Sequence, residues 1–377
     1  KSSKGVQRNC LAWLVCLWAA SVMAATPDPQ FSETLLEVIG AQFAKWDADG
    51  NGVLGMSELD ALAANPQITG TNAALAAALK RTTRSPKYRP PVLTLVNIQL
   101  LITNTPATNQ PDLKRLFRDG IRNLLSATNR TMFPAAPKLE TIHQGKLGNC
   151  FCLAPLGAML HRNPDQVSSL FAPQPNGNVR VTLGKRTVEV TPPTDTEIAM
   201  TSSNESQGIW VNVYEKALGQ MRFDIKPADQ RTNSALDTIA RGGSAGTILS
   251  FITGNEITRF LFKFATDPKT TAGQREKTIS DLRRQLTAAV REKRLMTCGT
   301  VKPTTPGLTA NHAYAVLGYD VATDRVTLWN PHGGQFKPKG NPSLTTGYPM
   351  KDGILDIPLL DFVRQFSGMS FEQTKAT

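Results

Sequence analysis

Gln144 and Cys150 stand more than 150 residues upstream of His312 and Asn330, and that separation constrains the fold more than any other feature of the chain. A Gln, a Cys, a His and an Asn in this order make a cysteine-nucleophile acyl-transfer site only if the chain folds so that they converge. A free thiol of pKa about 8.5 is only a few per cent thiolate at neutral pH. An adjacent imidazolium lowers that pKa and later hands its proton to the leaving amine. Asn330 would hold the imidazole in one tautomer, a task Asn performs as well as Asp. The carboxamide of Gln144 and the backbone N–H of Cys150 would meet the oxyanion. Gly148-Asn149 precedes Cys150 and an apolar run to Met159-Leu160 follows it, which places the thiol near a helix N-terminus, where the dipole favours a thiolate.

Three segments carry a resemblance: Gln144-Gly145-Lys146-Leu147-Gly148-Asn149-Cys150, His312-Ala313-Tyr314 and Asn330-Pro331-His332-Gly333. Together they resemble the calpain-type cysteine proteases, which carry Gln-Gly-x-Leu-Gly-Asp-Cys-Trp, Gly-His-Ala-Tyr and Asn-Pro-Trp-Gly. Fainter echoes lie between, in Gly208-Ile209-Trp210 through Glu215-Lys216-Ala217, in Gly242-Gly243-Ser244 with Phe251-Ile252-Thr253-Gly254, and in Leu295-Met296-Thr297-Cys298. The resemblance covers residues 138–370. It implies an α+β, papain-like, two-lobed fold: a helical lobe carrying Cys150, a β-rich lobe carrying His312 and Asn330, and a peptide or protein substrate bound between them. Phe151 stands for the family's Trp, and His332 for the Trp that covers the histidine–asparagine pair, which predicts a less shielded hydrogen bond there. Pro155 falls five residues into the expected helix, where a proline removes a backbone bond, so the helix is expected to start late or to bend.

A second pattern lies near the N-terminus. Asp47-Ala48-Asp49-Gly50-Asn51-Gly52-Val53-Leu54-Gly55-Met56-Ser57-Glu58 fits a twelve-residue EF-hand loop. Asp47, Asp49 and Asn51 supply side-chain oxygens at positions 1, 3 and 5, Val53 a carbonyl at 7, and Glu58 a bidentate carboxylate at 12, so calcium is the expected cofactor. Leu35, Leu36, Ile39, Phe43 and Trp46 recur at helical spacing before the loop, and Leu59 to Ala63 follow it. Such hands usually pair, and Pro66 to Leu79 is the expected degenerate partner.

The remaining composition narrows the class. Lys1, Lys4 and Arg8 precede an apolar run, Cys10 to Ala20, and Val22-Met23-Ala24 offers small residues at a cleavage point, the pattern of a secretory signal peptide over residues 1–24. A secreted or periplasmic location follows, and losing the three basic residues lowers the net charge from +12 to +9. Cys150, Cys152 and Cys298 then remain, too few for a disulfide scaffold, although the sequence leaves a Cys152–Cys298 bridge open. Cys-x-Cys lacks the spacing of zinc ligands. The densest basic stretch, Arg275 to Arg294, interleaves acidic residues with Ile279, Leu282, Leu286, Ala289 and Val290, which reads as a solvated amphipathic helix rather than a nucleic-acid surface.

The chain is expected to divide into the leader, an EF-hand helical unit at 30–80, a linker and helical segment at 81–137, and a protease domain at 138–370. Val179 to Leu183 and Val188 to Val190 predict one hairpin, and His312 to Tyr319 with Arg325 to Trp329 another. The resulting reading is a secreted, calcium-binding cysteine endopeptidase with a Cys-His-Asn triad. A catalytically inactive, calcium-stabilised binding module is one alternative. A transglutaminase-like or peptidoglycan-peptidase-like enzyme is another, disfavoured by the Gln-Gly-x-Leu-Gly and Asn-Pro-x-Gly segments. Whether residues 25–137 inhibit as a propeptide or dock as a permanent unit stays open at this level.

Overall fold

The computed structural model describes residues 29–83, 91–231 and 234–373; the leader at 1–24 lies outside them. No helix among the described residues is long and apolar enough to cross a membrane.

Among the described residues five helices come first: Pro29–Trp46, Met56–Ala64, Gly70–Thr82, Leu95–Thr103 and Leu113–Ser126. In the first, Leu35, Ile39, Phe43 and Trp46 are buried at three- and four-residue spacing and form one core-facing stripe. Gly70–Thr82 differs, because every residue from Ala73 to Leu79 is buried. A helix apolar on all sides must be enclosed, and this one packs against Met56–Ala64, Leu113–Ser126 and the later helix Asp195–Met200. One apolar cluster runs from Leu35 to Phe117. The unit therefore extends past the expected boundary at residue 80, which falls inside a helix.

The pairing within this unit also differs from expectation. Pro66 to Leu79 supplies no loop facing residues 47–58; most of it lies in the enclosed helix. The loop that meets the first one arrives later, where Leu54 N–H donates to Leu93 O at 3.0 Å. Helices Gly70–Thr82 and Leu95–Thr103 stand on either side of the segment that carries Leu93.

The helical lobe contains Cys150–Arg162, Trp210–Asp224 and Ala245–Thr253, with a three-stranded sheet of β1 (Phe171–Pro173), β2 (Val179–Leu183) and β3 (Arg186–Val190). The second lobe is a seven-stranded antiparallel sheet. Its strands are β4 (Ile257–Leu261), β5 (Met296–Thr300), β6 (Ala313–Asp320), β7 (Arg325–Trp329), β8 (Met350–Lys351), β9 (Ile354–Pro358) and β10 (Phe366–Glu372), ordered β4-β10-β5-β6-β7-β9-β8. Ala272–Arg291 covers this sheet with Leu282, Leu286 and Ala289 while its charges pair on the outer face, Lys277 and Arg284 with Asp281 and Arg283 with Asp324. Both expected hairpins are present, as β2–β3 and β6–β7.

The N-terminal helices dock on the helical lobe through Asp195–Met200. Thr194 Oγ1 donates to Ala63 O at 2.6 Å, and Gly70 N–H donates to Asp195 Oδ2 at 2.9 Å. Lys80 is buried against Asp60 and reaches Ser234 across the same boundary.

Candidate active site

Helix Cys150–Arg162 begins at the thiol itself, with Asn149 as its capping residue, and continues through Pro155 as a single element. It neither starts late nor breaks. A first-turn residue has no helical acceptor for its N–H, so the Cys150 and Phe151 amides are free of the ladder beside the thiol. The helix packs on β5 and β6, the strands on either side of His312.

Antiparallel register explains how His312 and Asn330 meet. Ala315 faces Trp329; one further step puts Asn330 opposite Tyr314, with His312 on the same face as Tyr314 and diagonal to Asn330. Diagonal neighbours on a sheet face are within reach of longer side chains. His312 Nε2 donates to Asn330 Oδ1 at 2.7 Å. His312 is anchored by Thr300, whose N–H donates to His312 O at 2.9 Å and whose Oγ1 accepts from His312 N–H at 3.2 Å.

The residue in the family's Trp position does not expose this bond. The His332 ring stacks on His312, with centroids 4.3 Å apart, and the His332 backbone N–H donates to Asn330 Oδ1 at 3.0 Å. His332 itself is exposed, but His312 is only 5% and Asn330 only 3% accessible, so water reaches neither end of the hydrogen bond easily. The expected loss of shielding does not occur.

Cys150, His312 and Ala313 line one cleft of about 300 Å³. Its other walls come from Gly242 to Gly246, from Arg259 and Leu261 on β4, from β5 and from Ser367 to Ser370. Among the described residues, none that precedes Cys150 lines the cleft. The N-terminal helices therefore do not plug it, although Asp119 of Leu113–Ser126 approaches Lys146, in the loop leading to Cys150, at 3.7 Å.

Electrostatics in the cleft run against the expectation of a thiolate favoured by helix and imidazolium. Burial pushes the Cys150 thiol up, outweighing the backbone N–H groups of Ala313, Phe151 and Cys150 that draw it down. Burial likewise pulls His312 down to about 3, reinforced by the charge of His332 and only partly offset by Asn330. Desolvation disfavours both charged forms, opposing the thiolate and the imidazolium alike.

Gln144 is held differently from the simplest oxyanion donor. Its Nε2 donates to Leu147 O at 2.8 Å, and it does not line the cleft. One N–H of its amide remains. Its backbone N–H donates to Pro331 O at 2.7 Å, tying the loop before the nucleophile to the Asn330 turn. His143 precedes it in the chain: its ring bonds Glu205 at 2.6 Å, and its backbone pairs with Ser203. Cys152 and Cys298 are both free and buried, so no bridge joins them. Sequence reasoning gave Trp329, Gly157 and Arg259 no part in the site. Glu215 enters the sequence reading only within the Glu215-Lys216-Ala217 echo, a carboxylate between Tyr214 and Lys216 on a helix buried from Trp210 to Glu215.

At the N-terminus, oxygens of Asp47, Asp49 and Glu58 lie within 4.8 Å of one another. The loop is folded on its own carboxylates: Gly52 N–H donates to Asp47 Oδ2 at 2.8 Å, and Ala48 N–H and Gly55 N–H donate to the two Glu58 oxygens at 2.6 and 2.7 Å. Asn51 Oδ1 accepts from Val53 N–H at 2.8 Å.

A helix presenting a cysteine to a histidine–asparagine pair on a neighbouring sheet defines a cysteine protease of papain-like architecture. The family model for calpain family cysteine proteases matches residues 122–346, more than half of the chain, and the chain belongs to that family. Among curated proteins, none matches it significantly.

Proposed function

We propose that this protein is an exported endopeptidase in which Cys150 attacks the scissile carbonyl and His312 acts first as base and then as acid. The carrying observation is the His312–Asn330 hydrogen bond of 2.7 Å at a cleft shared with Cys150. With the proton on Nε2 engaged by Asn330, Nδ1 is the imidazole nitrogen left to accept from the thiol. Sulfur then bonds the carbonyl carbon, and the C=O electrons move onto oxygen. The Cys150 N–H and the remaining N–H of Gln144 are the oxyanion donors. Collapse expels the amine, which takes the proton from Nδ1. Water attacks the acyl-enzyme by the reverse sequence and restores the thiol.

The helix–loop–helix at the N-terminus is, in this reading, a calcium-binding EF-hand. An all-oxygen set from Asp47, Asp49, Asn51, the Val53 carbonyl and Glu58 suits a hard cation, and the closeness of the three carboxylates supports it. Bound calcium would neutralise those carboxylates and clamp the two flanking helices. An exported protein meets calcium at about 10⁻⁴ to 10⁻³ M, where extracellular modules bind it.

The inactive-module alternative drew on Pro155 and His332. The helix passes through the first, and the second covers the triad without displacing it, so neither favours that alternative.

The deciding experiment is casein cleavage by the chain lacking residues 1–24, in reducing buffer, with calcium or chelator, beside Cys150→Ala. Cleavage lost in the variant is expected. Calcium should raise the melting temperature in wild type and not in Glu58→Gln. A folded wild-type protein that leaves casein and a peptide library intact refutes the endopeptidase reading; a melting temperature indifferent to calcium refutes the metal.

A further inference from the structure

Glu215 lies in helix Trp210–Asp224, fully buried, and the proposed chemistry gives it no part. Its Oε1 accepts from Asn149 Nδ2 and from Ser202 Oγ, the latter at 2.7 Å, and its Oε2 accepts from Ser202 N–H at 2.9 Å. Burial pushes this carboxyl up to about 7 in spite of those donors. Burying a carboxylate is a poor route to stability, since an apolar side chain of the same volume does as well or better.

What Glu215 bridges is informative. Asn149 is bonded directly to Cys150 and caps its helix. Its Oδ1 is buried without a partner among the described residues, so Glu215 alone fixes the orientation of that amide. On the other side, Ser202 belongs to the segment that holds Gln144 in place. Ser203 exchanges backbone hydrogen bonds with His143 at 2.8 and 3.0 Å. Gly145 presses against Thr201 so closely that a Cβ there would lie 2.3 Å from the Thr201 carbonyl oxygen. One carboxylate is therefore bonded both to the residue preceding the nucleophile and to the segment that supports Gln144.

We propose that Glu215 is a positioning residue for the reaction, setting the Cys150 thiol and the Gln144 donor at a fixed spacing by gripping Asn149 and Ser202 together. The proposal rests on Cys150 being the nucleophile. It does not depend on which substrate is cleaved.

Its test uses the chain lacking residues 1–24, with Glu215→Ala and Glu215→Gln, read by peptide kinetics and by the rate at which iodoacetamide alkylates Cys150. Alkylation needs no substrate, so a failure to find a cleavable peptide leaves this test standing. Misplacement of a reacting group by about 1 Å costs on the order of a hundredfold. Folded Glu215→Ala should lose about that much kcat with KM within threefold, and its alkylation rate should fall at least tenfold. Glu215→Gln, which can still accept from Ser202 and exchange amides with Asn149, should recover to within tenfold of wild type. A folded Glu215→Ala that keeps kcat and alkylation within threefold overturns the proposal, as does a loss confined to KM. If Glu215→Ala does not fold, Asn149→Ala cuts the nucleophile's side of the bridge alone. A tenfold slower alkylation in that variant supports the proposal, and an unchanged rate overturns it.

Discussion

The imidazoles of His312 and His332 are stacked, with centroids 4.3 Å apart and planes 22° from parallel. A positive charge on His332 opposes protonation of His312. Replacing His332 by Trp keeps a flat ring over the pair and removes that charge, so the imidazolium of His312 becomes easier to form. The NMR titration midpoint of His312 in His332→Trp should therefore move upward, by about one pH unit, with activity at neutral pH within severalfold of wild type. A midpoint that stays or falls would show that His332 does not act on its neighbour electrostatically.

Burial holds the Cys150 thiol up and the His312 imidazole down, and these directions set a pH dependence. The thiolate is the reactive form, and its fraction grows about tenfold per pH unit below the thiol's pKa. Alkylation of free Cys150 should thus climb steadily from pH 5 through 8. A rate flat across that range would instead reveal a standing thiolate–imidazolium pair.

Gly157 lets the two lobes touch. A Cβ at this position would lie 2.4 Å from Trp329 Cζ3, and Trp329 is wholly buried. The indole cannot yield without moving Asn330, the next residue. Gly157→Ala should destabilise the protein by about 1 to 3 kcal/mol, the usual range for overpacking a core, and lower kcat as well. Thermal melts and peptide kinetics that match wild type would mean that the interface is looser than the packing indicates.

Among the described residues that line the cleft, Arg259 is the one side chain carrying a permanent charge. Its guanidinium bonds only the neutral Ser244 Oγ and Thr247 Oγ1, at 3.2 and 3.3 Å. An acidic substrate side chain would give it the charge-assisted partner it lacks among the described residues. In peptides differing only by Glu for Gln, one position should show about tenfold higher kcat/KM with Glu, and Arg259→Ala should erase the difference. Equal values at every position would remove Arg259 from specificity.

Much of this architecture was legible because it is written locally. The alternation in Val179 to Val190 and in Ala313 to Trp329 marks hairpins within a dozen or so residues each, and the second predicts that His312 and Asn330 lie side by side, as they do at 2.7 Å. The loop at Asp47 to Glu58 brings Asp47, Asp49 and Glu58 together because the turn chemistry of its Gly and Asn residues folds it on itself. Misreadings came where a segment's fate depended on distant neighbours. Leu93, rather than anything in Pro66 to Leu79, meets Leu54, since that stretch is drawn into an enclosed helix.

By itself the sequence determined the candidate residues Gln144, Cys150, His312 and Asn330, their order, and the strands and helix that present them, because periodicity and turn propensity act over a few residues. Tertiary structure alone decided that His332 stacks on His312, that Trp329 rests against Gly157, that Glu215 joins Asn149 to Ser202, and that burial works against the charged forms of Cys150 and His312. These outcomes depend on close packing and on the exclusion of water between segments remote in sequence, and no local pattern encodes how much water two such segments will expel when they meet.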